Sequence, residues 1–253
     1  MSKRVGKRFK EEKKKIKIPI FQIISIIIVF FCIKYIIQWA QESNYNNEIL
    51  IETQKSVLVE TIDDKPKIVS VDFESLKQKN PETVGWIKVN NTEIDFPVVQ
   101  TKDNDYYLRH SFDKTYNIAG WIFMDYRAKR DGTDKNITIY GHNMKNGTMF
   151  TSLKNILNEE WYSNKDNLEV TYIDEEGIHT YQVFSIYQVE KETFYTNNSF
   201  SSDKEFENFI NTIMKRSKVD FGVEVGIDDQ ILTLSTCANN INYRVVLHAK
   251  KID

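Results

Sequence analysis

From Ile18 to Trp39 the chain runs for 22 residues with a single charge, Lys34. No other feature restricts the fold so strongly. At about 1.5 Å per residue a helix of this length reaches roughly 33 Å, enough for a hydrocarbon core of ~30 Å. A charge at mid-membrane costs about 3 kcal/mol, but Lys34 lies near the far end of the run, where it can snorkel beside Tyr35 and Trp39. A cleaved signal peptide is the competing reading. Its apolar core is typically only about 7–15 residues long, and no small-x-small cleavage site follows the run here, so an uncleaved anchor is expected.

The formal net charge of −2 conceals an asymmetry. Nine Lys and Arg fall within residues 1–17 against Glu11 and Glu12 only. By the positive-inside rule this basic tail stays in the cytoplasm, and residues 40 to 253 are placed outside. Residues 35–253 then carry a net charge of −10. An acidic body argues against a nucleic-acid partner, because binding a phosphate backbone requires a basic surface that releases counterions.

In an exported domain cysteines are ordinarily paired, yet Cys32 lies in the apolar run and Cys237 has no partner there. A lone exported thiol is either buried and inert or kept for chemistry. There is no Cys-x-x-Cys pair for disulfide exchange and no Cys/His cluster at zinc spacing, so neither metal nor cofactor is expected.

Residues 40–71 are polar and without clear periodicity, and read as a helical or loose stalk. Beyond them, runs rich in β-branched and aromatic residues predict eight strands: 86–89, 93–99, 120–124, 137–140, 168–173, 179–189, 231–235 and 243–249. Eight strands suggest a closed or nearly closed barrel. A short helix is expected at 72–79, capped by Asp72 and stopped at Asn80-Pro81. Two more are expected at 149–157 and 203–215; in the latter Phe206, Phe209, Ile210, Ile213 and Met214 repeat at amphipathic spacing, with Ser202 or Asp203 as cap.

Three reactive side chains sit at strand ends. Cys237 closes the run from Ile231, His142 follows the run that ends at Tyr140, and Arg244 opens the last strand. Strand parity places Cys237 with Ile231, Thr233 and Ser235, and His142 with Thr138 and Tyr140, both on the more polar face. That face is expected to form an outer groove and not the core. If the last two strands form a hairpin, the short loop between them brings Cys237 and Arg244 to the same sheet edge.

A free thiol has a pKa near ~8.5 and needs a nearby cation to become a nucleophile. His142 can supply one as imidazolium and then protonate a departing amine. Arg244 stays charged and suits a substrate carbonyl or developing oxyanion. Acyl transfer is the indicated reaction. Each residue also has a plain structural reading: a satisfied histidine, a solvated strand arginine, an inert thiol. Asn143 either orients the ring or makes the turn.

The run Thr233-Leu234-Ser235-Thr236-Cys237 resembles the TLxTC signature of sortases, and Arg244 resembles the arginine that begins their following strand. Residues 140–144, Tyr-Gly-His-Asn-Met, resemble the histidine motif of class B sortases, as do 104–108 and 120–127 the corresponding class B segments. The resemblance covers about residues 72 to 251.

It implies a mainly β fold: a sortase-like eight-stranded β-barrel with N-terminal helices and a long helix between strands 6 and 7, preceded by a transmembrane helix. It also implies a cysteine transpeptidase in which Cys237 is the nucleophile, His142 the general acid/base and Arg244 the stabiliser of substrate or oxyanion. Such enzymes cut the C-terminal sorting signal of a surface protein after Thr, hold the protein as a thioester, and pass it to an amine of a peptidoglycan precursor. Class B members favour NPxT-type signals. By the same resemblance Ser235 and Thr236 line the signal pocket, Asn143 is a further candidate contact, and residues 189–202 form part of the wall. No acidic third member is assigned.

The expected organisation is therefore a cytoplasmic tail at 1–17, an anchor at 18–39, a stalk at 40–71 and an extracellular catalytic domain at 72–253. Two alternatives stand beside it. A noncatalytic tethered binding module would keep the barrel with an unreactive thiol. Another exported cysteine enzyme, such as a cell-wall peptidase or an L,D-transpeptidase, would share location and nucleophile; the latter usually carries a Ser-His-Gly-Cys type motif where this chain has Leu-Ser-Thr-Cys.

Overall fold

The computed structural model describes residues 19–62, 65–129, 133–237 and 242–252, with the side chains of Ser43, Lys65 and Cys237 outside the description. The basic tail at 1–17 lies outside the described residues. The chain divides into two compact units, Met1–Gln41 and Glu42–Asp253. The first contains the start of helix α1 (Ile20–Gln54), whose apolar part is long and apolar enough to cross a membrane.

The second unit is built on eight strands: β3 (Thr83–Val89), β4 (Asp95–Val99), β5 (Phe123–Met124), β6 (Asn136–Tyr140), β7 (Glu169–Ile173), β8 (Ile178–Glu190), β9 (Ile231–Cys237) and β10 (Tyr243–Lys251). They close into a barrel in the order β10-β8-β7-β3-β4-β5-β6-β9. Its core is a buried cluster to which Ile87, Val98, Ile139, Leu232, Leu234, Val245 and Leu247 contribute. Two pairings are parallel, β4 with β5 and β6 with β9, and each needs a long crossover because a tight turn can join only antiparallel strands.

Before the barrel, residues 42–54 continue α1 and pack on it, burying Asn46, Ile49 and Thr53. A two-stranded antiparallel hairpin follows, β1 (Val57–Ile62) and β2 (Lys65–Val71). Charged residues interrupt its apolar ones, which is why the sequence pattern over 40–71 predicts a stalk and no strands. Helix α2 (Phe73–Lys79) starts where expected: Asp72 accepts from the Ser75 amide at 3.0 Å, satisfying one of the unpaired donors of the first turn.

Some boundaries differ from the sequence expectation, for local reasons. The strand expected from Gly120 shrinks to Phe123–Met124, because Gly120 turns the chain at φ +58°. The strand expected from Glu93 starts at Asp95, after a turn through Asn91 at φ 51°. The helix expected over 149–157 is a 3-10 helix, Thr151–Leu157, and Met149 at φ 58° stands outside it. A four-residue helix, α3 (Glu159–Tyr162), follows.

Helix α4 (Asp203–Arg216) lies between the sixth and seventh barrel strands. Ser202 caps it by accepting from the Glu205 amide at 3.2 Å, while the Glu205 carboxylate reaches back to the Ser201 amide at 2.7 Å. Its buried face, Phe206, Phe209, Ile210 and Ile213, packs on the outside of the barrel against Phe184, Tyr187, Ile231 and Val246. The more polar face of β9 is therefore covered near α4 and not an open groove. Each fully buried aromatic or aliphatic side chain there contributes about 1.5–3 kcal/mol.

Beneath α4 the polar groups satisfy one another. Thr233 Oγ1 donates to Asn136 Oδ1 at 2.6 Å, so it must accept from His248 Nδ1 at 2.8 Å. His248 Nε2 then accepts from the Tyr187 hydroxyl at 2.9 Å. This fixes His248 as a neutral imidazole. Complete burial, helped by the charge on Arg216, pushes its pKa down to about 3.

The unfolded chain binds that proton near pH 6.5, whereas the fold resists it down to about pH 3. Stability from this group is thus complete above pH 6.5 and is lost as pH falls, by up to about 1.4 kcal/mol per pH unit. Urea midpoints are expected to drop more between neutral and acid pH in the native chain than in His248→Gln; equal drops would contradict this assignment.

Candidate functional site

The parallel ladder between β6 and β9 sets Tyr140 beside Ser235, and the Gly141 amide extends it by donating to the Ser235 carbonyl at 3.2 Å. Two positions further along each strand come His142 and Cys237. On the other side of β9, the antiparallel ladder makes Arg244 the direct Cα partner of Cys237. Three residues separated by up to about a hundred positions in sequence thus leave three adjacent strands at one rim of the barrel. Gly141 is required for this exit, since a Cβ there would lie 2.5 Å from the Phe150 ring and 2.6 Å from Ile122.

His142 is half-buried, and its Nε2 lies 2.9 Å from the Leu108 carbonyl. A carbonyl oxygen can only accept, so Nε2 carries the proton and Nδ1 is the basic nitrogen of the neutral ring. Burial pulls the His142 pKa below its ordinary value; the Leu108 bond opposes this, and the charges of Arg109 and Arg244 reinforce it. The resting imidazole is neutral at pH 7. Arg244 is also half-buried, and its Nη1 donates to its neighbour's carbonyl, Tyr243 O, at 2.9 Å.

Beside these residues opens a cavity of about 380 Å³, within the range of small-ligand and peptide sites. Its lining includes His142, Ser235, Thr236 and Arg244 together with Leu108 and residues of the 191–196 segment. Ser235 shares a 2.9 Å hydrogen bond with the Tyr195 hydroxyl. Thr236 is buried with its hydroxyl unpaired among the described residues. Asn143 does not line the cavity; it forms a backbone bridge with Met149. Among the described residues no cluster of His, Cys, Asp and Glu is arranged to hold a metal ion.

Reading the sequence missed the network that adjoins the cavity through Asn104, Arg127 and Tyr140. Asp125, 1% exposed, receives Arg127 Nε at 2.9 Å and Nη2 at 2.7 Å, the Tyr140 hydroxyl at 2.8 Å and Asn104 Nδ2 at 3.1 Å. Burial raises its pKa, but the hydrogen bonds from Arg127 and Tyr140 outweigh that and hold the carboxylate below the usual range. Arg127 also donates to the Thr196 carbonyl at 3.0 Å, which holds the 191–196 segment of the wall. Glu192, on the same wall, pairs with Arg216, whose guanidinium stacks over the Phe194 ring at 5.0 Å. The 120–127 motif contains Asp125 and Arg127 but does not disclose a partner 69 positions away.

The arrangement suits acyl transfer: a neutral imidazole whose basic nitrogen is Nδ1, a guanidinium nearby, and an adjoining cavity. Comparisons point the same way. A family model described as Sortase domain matches residues 87–252. Sortase B of Listeria monocytogenes is 36% identical over 186 residues, spanning 72% of this chain and 74% of that protein. The crystal structure of Clostridium perfringens sortase B superposes with a TM-score of 0.68 at 39% identity, covering 72% of this chain and all of the other. A Staphylococcus aureus sortase B–substrate complex matches with a TM-score of 0.67 at 33% identity, over 72% of this chain and 84% of that one.

The His142 ring is expected to titrate below pH 6.5, and Arg109→Gln to move its midpoint upward, because removing a nearby cation favours imidazolium. Ring-proton shifts followed by NMR across about pH 4 to 8 check both. A downward move in the variant would contradict the electrostatic account.

Proposed function

This chain belongs to the sortase family, as a class B cysteine transpeptidase, and from that premise we propose that it cleaves an NPxT-type sorting signal after Thr and transfers the surface protein to a peptidoglycan amine. The observation that carries this reading is the convergence of Cys237, His142 and Arg244 at one barrel rim beside a peptide-sized cavity.

In the proposed cycle the Cys237 thiol passes its proton to His142 Nδ1 and the sulfur attacks the Thr carbonyl carbon. Arg244 stabilises the oxyanion. As the intermediate collapses, the C–N bond breaks and the imidazolium protonates the departing amine, leaving a thioester. An acceptor amine then attacks the thioester, loses a proton to neutral His142 and releases the thiol. A histidine held below its ordinary pKa is a stronger acid once charged, which favours the leaving-group step.

Ser235 and Thr236, which line the cavity, are proposed to contact the signal, with Asn143 as a further candidate contact. The apolar part of α1 is proposed as a single membrane anchor with residues 1–17 in the cytoplasm and the barrel outside.

Incubating the full chain in detergent with NPxT and LPxT peptides and an amine tests the reading. Cys237→Ala is expected to abolish cleavage; His142→Ala and Arg244→Ala should each lower kcat/KM by about 10²–10⁴-fold with the fold intact. Undiminished turnover by Cys237→Ala would end it. An inert Cys237 toward alkylation at neutral pH would instead favour a noncatalytic binding module.

A further inference from the structure

The segment between β4 and β5 supplies the carbonyl that holds His142, and a buried amide on α1 grips that segment from behind. Asn46 Nδ2 donates to the Gly120 carbonyl at 3.2 Å. Its Oδ1 accepts from Asn117 Nδ2 at 2.9 Å and from the Ser111 hydroxyl. One side chain thereby ties both limbs of the 106–121 loop. The limbs are also joined to each other, through the Asn117 amide to the Arg109 carbonyl and the Trp121 amide to the Tyr107 carbonyl, both at 2.9 Å.

Gly120 is the point of closest approach. It sits at φ +58°, and a Cβ there would fall 2.3 Å from the Tyr107 carbonyl oxygen and 2.9 Å from the Leu108 carbonyl carbon and oxygen. The Gly120 backbone is thus seated directly against the peptide whose oxygen accepts from His142 Nε2 at 2.9 Å. Since a peptide unit is planar and rigid, displacing Gly120 displaces that oxygen. Glu42 adds a lighter hold on the same loop, its Oε2 accepting from the Ile118 amide at 3.2 Å.

We propose that Asn46 is a positioning residue for His142, acting through Gly120 and the Leu108 carbonyl to fix the ring's orientation and its Nε2–H tautomer. The inference rests on the reading of His142 as the acid–base group. Asn supplies donor and acceptor at once from a short side chain. A leucine of similar size would leave the Gly120 carbonyl and the Ser111 hydroxyl without this partner. Misplacing a reacting group by about 1 Å can cost 10²-fold in rate, so a partial loosening is expected to cost about tenfold.

The test uses the full chain in detergent with 15N-labelled histidine, the His142 signals being assigned by their loss in His142→Ala. In the native chain the ring is expected to show the Nε2–H tautomer. Asn46→Ala should shift its two nitrogen signals toward the pattern of an exchanging imidazole and lower kcat about tenfold, with KM within about twofold. Glu42→Ala, which leaves the buried amide in place, should shift them in the same direction by less. Thr53→Ala is the control: Thr53 is buried on the same helix but its hydroxyl donates to the Leu50 carbonyl of that helix, at 2.9 Å. It should lower Tm and leave the His142 signals unmoved.

If Asn46→Ala lowers Tm alone, or Thr53→Ala moves the ring equally, Asn46 merely docks the helix and the proposal fails. Should Asn46→Ala not fold, unmoved signals in Glu42→Ala overturn it. Full activity in His142→Ala would instead sink the acid–base reading, a separate result.

Discussion

The parallel pairing of β6 with β9 is the constraint on which the rest of this structure depends. It closes the barrel, and its register is the reason His142 and Cys237 share a rim. A slip of one residue would send every side chain of β9 to the opposite face, exchanging Leu232 and Leu234 with Thr233 and Ser235. Burial of those leucines and the bond from Thr233 to Asn136 on the other face both oppose that slip. The apolar and polar faces therefore enforce the same register, and the geometry of the site inherits it.

Parallel pairing also requires a long crossover, and the chain between β6 and β9 is put to use. It supplies β7 and β8, the cavity wall at 191–196, and α4. The wall is held by charge and aromatic contact: Arg127 on Thr196, Arg216 on Glu192 and Phe194. Together with Asp125 these contacts tie the cavity wall to the barrel. A wall formed by loops can keep its shape when its polar groups are satisfied in this way.

Much of the fold was legible because residue type and periodicity report burial. Runs rich in β-branched and aromatic residues located all eight barrel strands, and the 3.6-residue repeat with Ser202 located α4 nearly to its ends. Legibility failed where backbone conformation overrode pattern, as at Gly120, Asn91 and Met149, whose positive φ angles cut short a strand or a helix. It failed again on the outer face of β9. Thr233 and Ser235 look solvent-facing by composition, yet α4 and Tyr195 cover them, and their hydroxyls are paired inside. The hairpin at 57–71 and the docking of residues 42–54 left no periodic signature strong enough to read.

By itself the sequence determined the apolar helix, the positions of the strands along the chain, and the three reactive side chains, because each of these depends on residue type and short-range spacing. Only the tertiary structure decided what those side chains meet: Leu108 against His142, Thr196 against Arg127, Asn46 against Gly120. Such pairs lie tens of residues apart along the chain. They are selected by strand register and by the need to satisfy buried polar groups once the barrel has closed, and no local pattern encodes that choice.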